Sequence, residues 1–173
     1  KLPNQNHEFL DGSYPYTINP GGPNHEELAS LIGIYEYLEI FYEHHFGRNT
    51  EDILIKIKKI NNLFNEHEEN IANPLLEYLS NNDKFRLIGQ NKIKNKNRAP
   101  TISFVSKHKS SKSLSKFLIK NNIATRNDNF YAWRCLNALG INTDDGVIRI
   151  SMLHYNTENE IEKLIEILDN FHN

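Results

Sequence analysis

The sequence predicts an α+β fold, a helical segment followed by a small α/β sandwich. Three observations predict it. Apolar residues recur at helical spacing from Leu28 to Tyr42 and again from Ile53 to Phe64. Runs rich in β-branched and aromatic residues follow at 85–89, 101–105 and 147–153. Capped amphipathic segments alternate with those runs in the order β-β-α-β-α-β-α, which suits a few strands covered by helices on one side.

In chain order, Asn24 is the expected N-cap of a first helix, with Glu27 three residues on as in a capping box. Its apolar positions are Leu28, Leu31, Ile32, Tyr35, Leu38 and Tyr42, and Gly47 is the expected stop. Thr50 is the expected cap of a second helix with Ile53, Ile57, Ile60 and Phe64 on its apolar stripe. Pro74 is expected to interrupt or restart it, leaving Leu75, Leu76 and Leu79 on a short further helix. These helices lack the strands needed for a complete core and read as the outer layer of something larger.

From Asp83 the composition changes. Phe85–Gly89 and Thr101–Val105 are expected strands, joined through a polar, Lys-rich and exposed loop at Asn91–Asn97. Ser110 or Ser111 caps a helix through Leu114, Phe117 and Leu118 that ends near Asn121 and Asn122. Ile123–Thr125 is an expected edge strand, and Tyr131–Leu139 an expected helix stopped by Gly140. Val147–Leu153 is an expected strand, after which Thr157 and Glu160 form a capping box. The last helix packs through Ile161, Leu164, Ile165 and Leu168.

One residue breaks the apolar run at 147–153. Arg149 places a guanidinium in mid-strand, and an unpaired buried charge is too costly to keep. Two partners fit: a structural carboxylate nearby, or an anionic substrate.

Composition narrows the function. At 173 residues the chain holds one ordinary domain, or a small domain plus an appendage. A net charge of -2 gives no bulk field for nucleic acid or a membrane surface. The single cysteine, Cys135, excludes a disulfide framework and a Cys-based zinc site. No apolar run is long enough to span a bilayer and no secretory signal is present, so a cytoplasmic location is expected. The opening through Pro20 is rich in Pro, Asn and Gly without periodicity, as in a piece cut from a longer chain or in a processed terminal tail.

The stretch Gly146–Val147–Ile148–Arg149–Ile150–Ser151, continued by Tyr155–Asn156–Thr157 and Glu160–Ile161, resembles the C-terminal end of class V aminotransferases. These are the cysteine-desulfurase-like branch of the fold-type-I enzymes that depend on pyridoxal 5'-phosphate (PLP). Arg98–Phe104, Asn129–Ala132 with Leu139–Gly140, and Asn19–Ala29 are similar to further segments of that family, in the same order. The resemblance implies that residues 1–82 are the end of the large domain with interdomain helices, and 83–173 the small C-terminal domain. It favours a piece of a longer enzyme that acts on an α-amino acid or related amine through a PLP-stabilised carbanion. Transamination, β-elimination and epimerisation share these parts, and the sequence does not separate them.

The resemblance also implies site residues. Arg149 matches the family's Arg for the substrate α-carboxylate, where a two-point contact fixes orientation as well as charge. Gly21 and Gly22 match a turn that reaches the cofactor phosphate of the neighbouring subunit in a homodimer. Gly22 stands where the family often has a Thr, so only backbone N–H contacts carry over. The competing reading of that segment is a plain Gly-Pro turn before a helix. Asn129–Ala132 falls where cysteine desulfurases carry a reactive Cys, and Phe130 and Tyr131 stand there instead. Cys135 is expected to be a buried small hydrophobe, which disfavours a desulfurase with a Cys nucleophile. The Schiff-base Lys lies upstream of the matching turn in the family, so no catalytic residue is expected in this chain and the piece by itself should be inactive.

The remaining candidates are weaker. His44 and His45 are adjacent and point apart on a helix, and His154 reads as structural, so no metal site is expected. Lys92–Arg98 and Lys107–Lys120 form a basic tract whose plain explanation is a solvated face. The alternatives to an enzyme portion are a non-catalytic dimerisation or regulatory subunit, and a basic RNA-binding module.

Overall fold

The computed structural model describes residues 23–94 and 98–172. The chain divides into two compact units, 1–60 and 61–173.

In the N-terminal unit, α1 (His25–Phe46) starts where Asn24 accepts a hydrogen bond from the Glu27 N–H and stops at Gly47, as the sequence predicts. α2 (Ile53–Asn81) starts later than expected. Asp52, not Thr50, supplies the cap: its Oδ1 accepts from the Leu54 N–H at 2.8 Å and its carbonyl from Lys56 at 3.1 Å. The unit is fastened around Tyr42, which is fully buried. The Tyr42 hydroxyl donates to Glu51 Oε2 at 2.6 Å and accepts from Asn49 Nδ2 at 2.8 Å. Lys59 Nζ reaches both Glu51 oxygens at 2.8 Å, and Lys56 Nζ reaches Glu39 at 2.7 Å. Both ammonium groups lie over the Tyr42 ring, 5.2 and 5.8 Å from its centroid.

In the C-terminal unit α2 runs through Pro74 without interruption, which corrects the expected break. A Pro inside a helix costs about 3 kcal/mol. Ile71, Leu75, Leu76 and Leu79 are all buried on the same stretch, and each contributes about 1.5–3 kcal/mol. Burial therefore outweighs the Pro. Because these side chains join the core under the sheet, packing begins well before the composition change at Asp83.

Four antiparallel strands form the sheet: β1 (Phe85–Ile88), β2 (Thr101–Ser106), β3 (Arg126–Asp128) and β4 (Val147–Ser151), in the order β1-β2-β4-β3. One face packs Phe85, Ile102, Phe104, Ile148 and Ile150 against α2, α3 (Ser111–Lys120) and α5 (Glu158–Asn170). The other face packs Val147, with Ile88 and Val105, against Leu136 of α4 (Trp133–Ala138) and Ile141. Helices thus lie on both faces, not one. The edge strand is at 126–128, three residues beyond the expected 123–125. α4 begins at Trp133, because Phe130 and Tyr131 adopt left-handed backbone with φ of 52° and 60°. In the segment expected to be wholly exposed, Ile93 is buried in the core. Asn73 holds it there, donating to the Ile93 carbonyl at 3.2 Å and accepting from its N–H at 2.8 Å.

Two local devices set the sheet. The capping box at Thr157 and Glu160 is complete in both directions. At the other end, Asp145 caps α3 through the N–H groups of Ser111 (2.7 Å) and Lys112 (3.2 Å), while the Ser111 hydroxyl donates to the Gly146 carbonyl. Gly146 has φ 65°, and a Cβ there would overlap the Asp128 carbonyl group at the end of β3.

Two outcomes follow from these contacts. Gly146→Ala is expected to destabilise the C-terminal unit by about 2–4 kcal/mol, read as a lower urea midpoint at unchanged slope. An unaltered midpoint would contradict the close approach. In the N-terminal unit, hydrogen bonds from Lys56 and Lys59 hold the Glu39 and Glu51 carboxyls below the ordinary 4.5. Their stabilisation is full above that value and is lost as the pH falls through the lowered folded values. The same contacts raise both lysines above 10.5, so their share persists below that pH and fades as the pH rises through the raised values. Helix content followed by circular dichroism should fall in acid with a transition that Glu51→Gln weakens. An identical acid transition in that variant would remove Glu51 as its source.

Candidate functional site

Strand alternation decides where Arg149 points. Ile148 and Ile150 are buried in the main core, so Arg149 between them faces the opposite side of the sheet. β4 is an interior strand, and Arg149 lies between Ser103 of β2 and Arg126 of β3 in the register. The side chain is half-buried. Its guanidinium carbon sits 4.3 Å from the centroid of the Phe130 ring. That contact is worth about 0.5–1 kcal/mol at a partly exposed site. It holds the guanidinium in place without neutralising it. Among the described residues Arg149 forms no ion pair.

Phe130 is presented by a tight loop. Asn129 Oδ1 accepts from the Tyr131 N–H at 3.0 Å, and the Asn129 carbonyl accepts from the Ala132 N–H at 2.9 Å. Two successive non-glycine residues in left-handed backbone cost of order 1–3 kcal/mol each. The strain turns the Phe130 ring toward β3 and β4 and leaves the Tyr131 side chain fully exposed.

Arg126 was not singled out by sequence reasoning. It faces Arg149 directly across the β3–β4 pair, and its guanidinium carbon lies 6.0 Å from the same Phe130 centroid. The available signal was an Arg inside an edge strand, hidden because the strand was expected three residues earlier. A third guanidinium, Arg86, is engaged structurally, donating to the Leu139 carbonyl at 2.8 Å.

Residues 54–164 match the model of the aminotransferase class-V family. The chain belongs to that family. A relative, the aminotransferase-like protein FGM3 of Gibberella zeae, is 28% identical over 160 residues, which covers 91% of this chain and 38% of the relative. The chain therefore spans less than half the length of that relative. Two solved structures share the fold. Cysteine desulfurase CsdA of Escherichia coli has a TM-score of 0.64 at 20% identity, over 90% of this chain and 32% of that one. A cysteine desulfurase of Thermococcus onnurineus has a TM-score of 0.56 at 22% identity, over 66% of this chain and 28% of that one.

Class V aminotransferases are PLP-dependent, and the described residues fit one part of such a site. On the strand face that carries Arg149, that residue is register partner to Ser103, a donor pair suited to one carboxylate. The described strand residues of that face include no Lys. These residues could hold an anion and offer the cofactor no amine for covalent attachment. Gly21 and Gly22, implied as phosphate contacts, lie outside the described residues.

The other candidates resolve differently. Cys135 is exposed, which corrects the expected burial: α4 is short and turns only Leu136 into the core. His154 stacks on Phe64 at 3.9 Å between ring centroids, a structural contact. Among the described residues no group of His, Cys, Asp and Glu could hold a metal, and no helix is long and apolar enough to cross a membrane. In the basic tract, Lys109 is tied down by the Phe171 carbonyl at 2.6 Å and by its ring.

Native Cys135 is expected to react fully with iodoacetamide, at a rate within about tenfold of an unfolded control. Resistance to alkylation without denaturant would contradict its exposure.

Proposed function

We propose that the chain supplies the substrate-carboxylate side of the active site in a PLP-dependent enzyme that acts on an α-amino acid or a related amine. The observation that carries this is Arg149, half-buried on an interior strand, seated on Phe130 and without an ion pair among the described residues. A carboxylate docking there takes two parallel N–H···O contacts, which fix its orientation as well as its charge. When bound, PLP supplies the electron sink for the chemistry. The residues of this chain bind and orient the substrate against it.

In this reading residues 1–82 border the large domain, 83–173 form the small domain, and the Schiff-base Lys belongs to polypeptide upstream. The partial coverage of the relatives supports a portion of a longer enzyme. So do the exposed apolar side chains of α1, where Leu28, Leu31, Ile32, Ile34 and Ile40 are 51–69% exposed. Gly21 and Gly22 would contact the cofactor phosphate through backbone N–H groups, in a cytoplasmic homodimer. Tyr131 in place of a reactive Cys argues against cysteine desulfuration, and that argument stands although Cys135 is exposed.

In the full-length enzyme, Arg149→Ala is expected to raise the KM for the amino-acid substrate by about 10- to 100-fold, the loss of one charge-assisted contact. Unchanged substrate kinetics would reject the role.

A further inference from the structure

A second guanidinium stands beside the one assigned to the substrate α-carboxylate. Arg126 and Arg149 are direct partners across an antiparallel pair, where side chains are close neighbours and like charges repel. Both sit over one aromatic ring, 6.0 and 4.3 Å from its centroid. Ion pairs would relieve the repulsion, but among the described residues neither Arg has one. Asp128, on the same strand face as Arg126, forms no ion pair with it among the described residues and accepts from the Asn129 N–H at 2.8 Å. The ring that gathers the two cations is set by the strained backbone at Phe130 and Tyr131. Strain and like-charge repulsion at one spot are costs that the surrounding fold must carry, and such costs cluster where a ligand is bound.

We propose that Arg126 and Arg149 together form a dianion site, so that the substrate is an α-amino acid whose side chain ends in a second anionic group. The inference rests on the assignment of Arg149 to the α-carboxylate. One carboxylate neutralises one guanidinium and leaves Arg126 without a counter-charge. A substrate with two acidic groups neutralises both, and Phe130 between them contacts the apolar carbons that join those groups. Arg126 then acts as the specificity residue and Arg149 as the general carboxylate anchor.

The test is calorimetric titration of the cofactor-loaded, full-length protein with succinate and glutarate, against butyrate as the single-carboxylate control. Wild type should bind at least one dicarboxylate about 10- to 100-fold more tightly than butyrate, the yield of one further charge-assisted contact. Arg126→Gln should abolish that preference while leaving the butyrate Kd within about twofold. Arg126→Lys should restore part of it. Arg126 is exposed on a short edge strand, so these variants should retain the wild-type melting temperature. Equal binding of all three acids by wild type, or a preference that survives in Arg126→Gln, overturns the proposal. A loss of butyrate affinity in Arg126→Gln equal to the loss for dicarboxylates also overturns it. A separate outcome bears on the underlying assignment: Arg149→Gln that leaves butyrate affinity unchanged removes Arg149 as the anchor.

Discussion

The alternation of side chains along β4 is the constraint on which the rest depends. Ile148 and Ile150 go into the main core, and with a period of two the residue between them must leave it. That one-residue rule sends a guanidinium to the thinly covered face of the sheet without breaking the hydrophobic core. A slip of one residue would bury Arg149 and expose both isoleucines, so the register is strongly specified. The register is set from outside the strand. Asp145 and Gly146 just before β4 are held by the start of α3 and the end of β3, and the Thr157–Glu160 box starts α5 just after it.

The thinly covered face buries much less apolar surface than the opposite one. Its apolar cluster is small, with Leu136, Ile141 and Val147 buried and Phe130 at its edge. The larger cluster on the opposite face carries the stability of the unit. This division lets the loop at Phe130 and Tyr131 hold strained backbone, and lets two guanidinium groups stand side by side, at a tolerable cost.

The N-terminal unit obeys a different rule. Tyr42 is its buried anchor, and lysines and glutamates satisfy that hydroxyl and each other. The rest of α1 keeps large apolar side chains in solvent, including Ile32 and Ile40.

Much of the fold was legible in the sequence because its signals are local. Caps at Asn24, Ser110 and Thr157, stops at Gly47 and Gly140, and the alternation in β2 and β4 each depend on residues within a few positions, so the element order could be read directly. Arg149 stood out as a charge in an apolar run. What failed to show was whatever depends on contacts distant in sequence. Pro74 stays helical because leucines around it pack under the sheet, and Ile93 is buried because Asn73 holds its backbone. β3 lies at 126–128 because pairing with β4 selects those residues, whose local preference for strand is weak. The sequence by itself thus determined the elements, their caps and the charge on β4. Tertiary structure decided which face that charge occupies, that Arg126 stands opposite it, and that Phe130 lies beneath both, because strand pairing and loop strain are properties of the assembled sheet and not of any single segment.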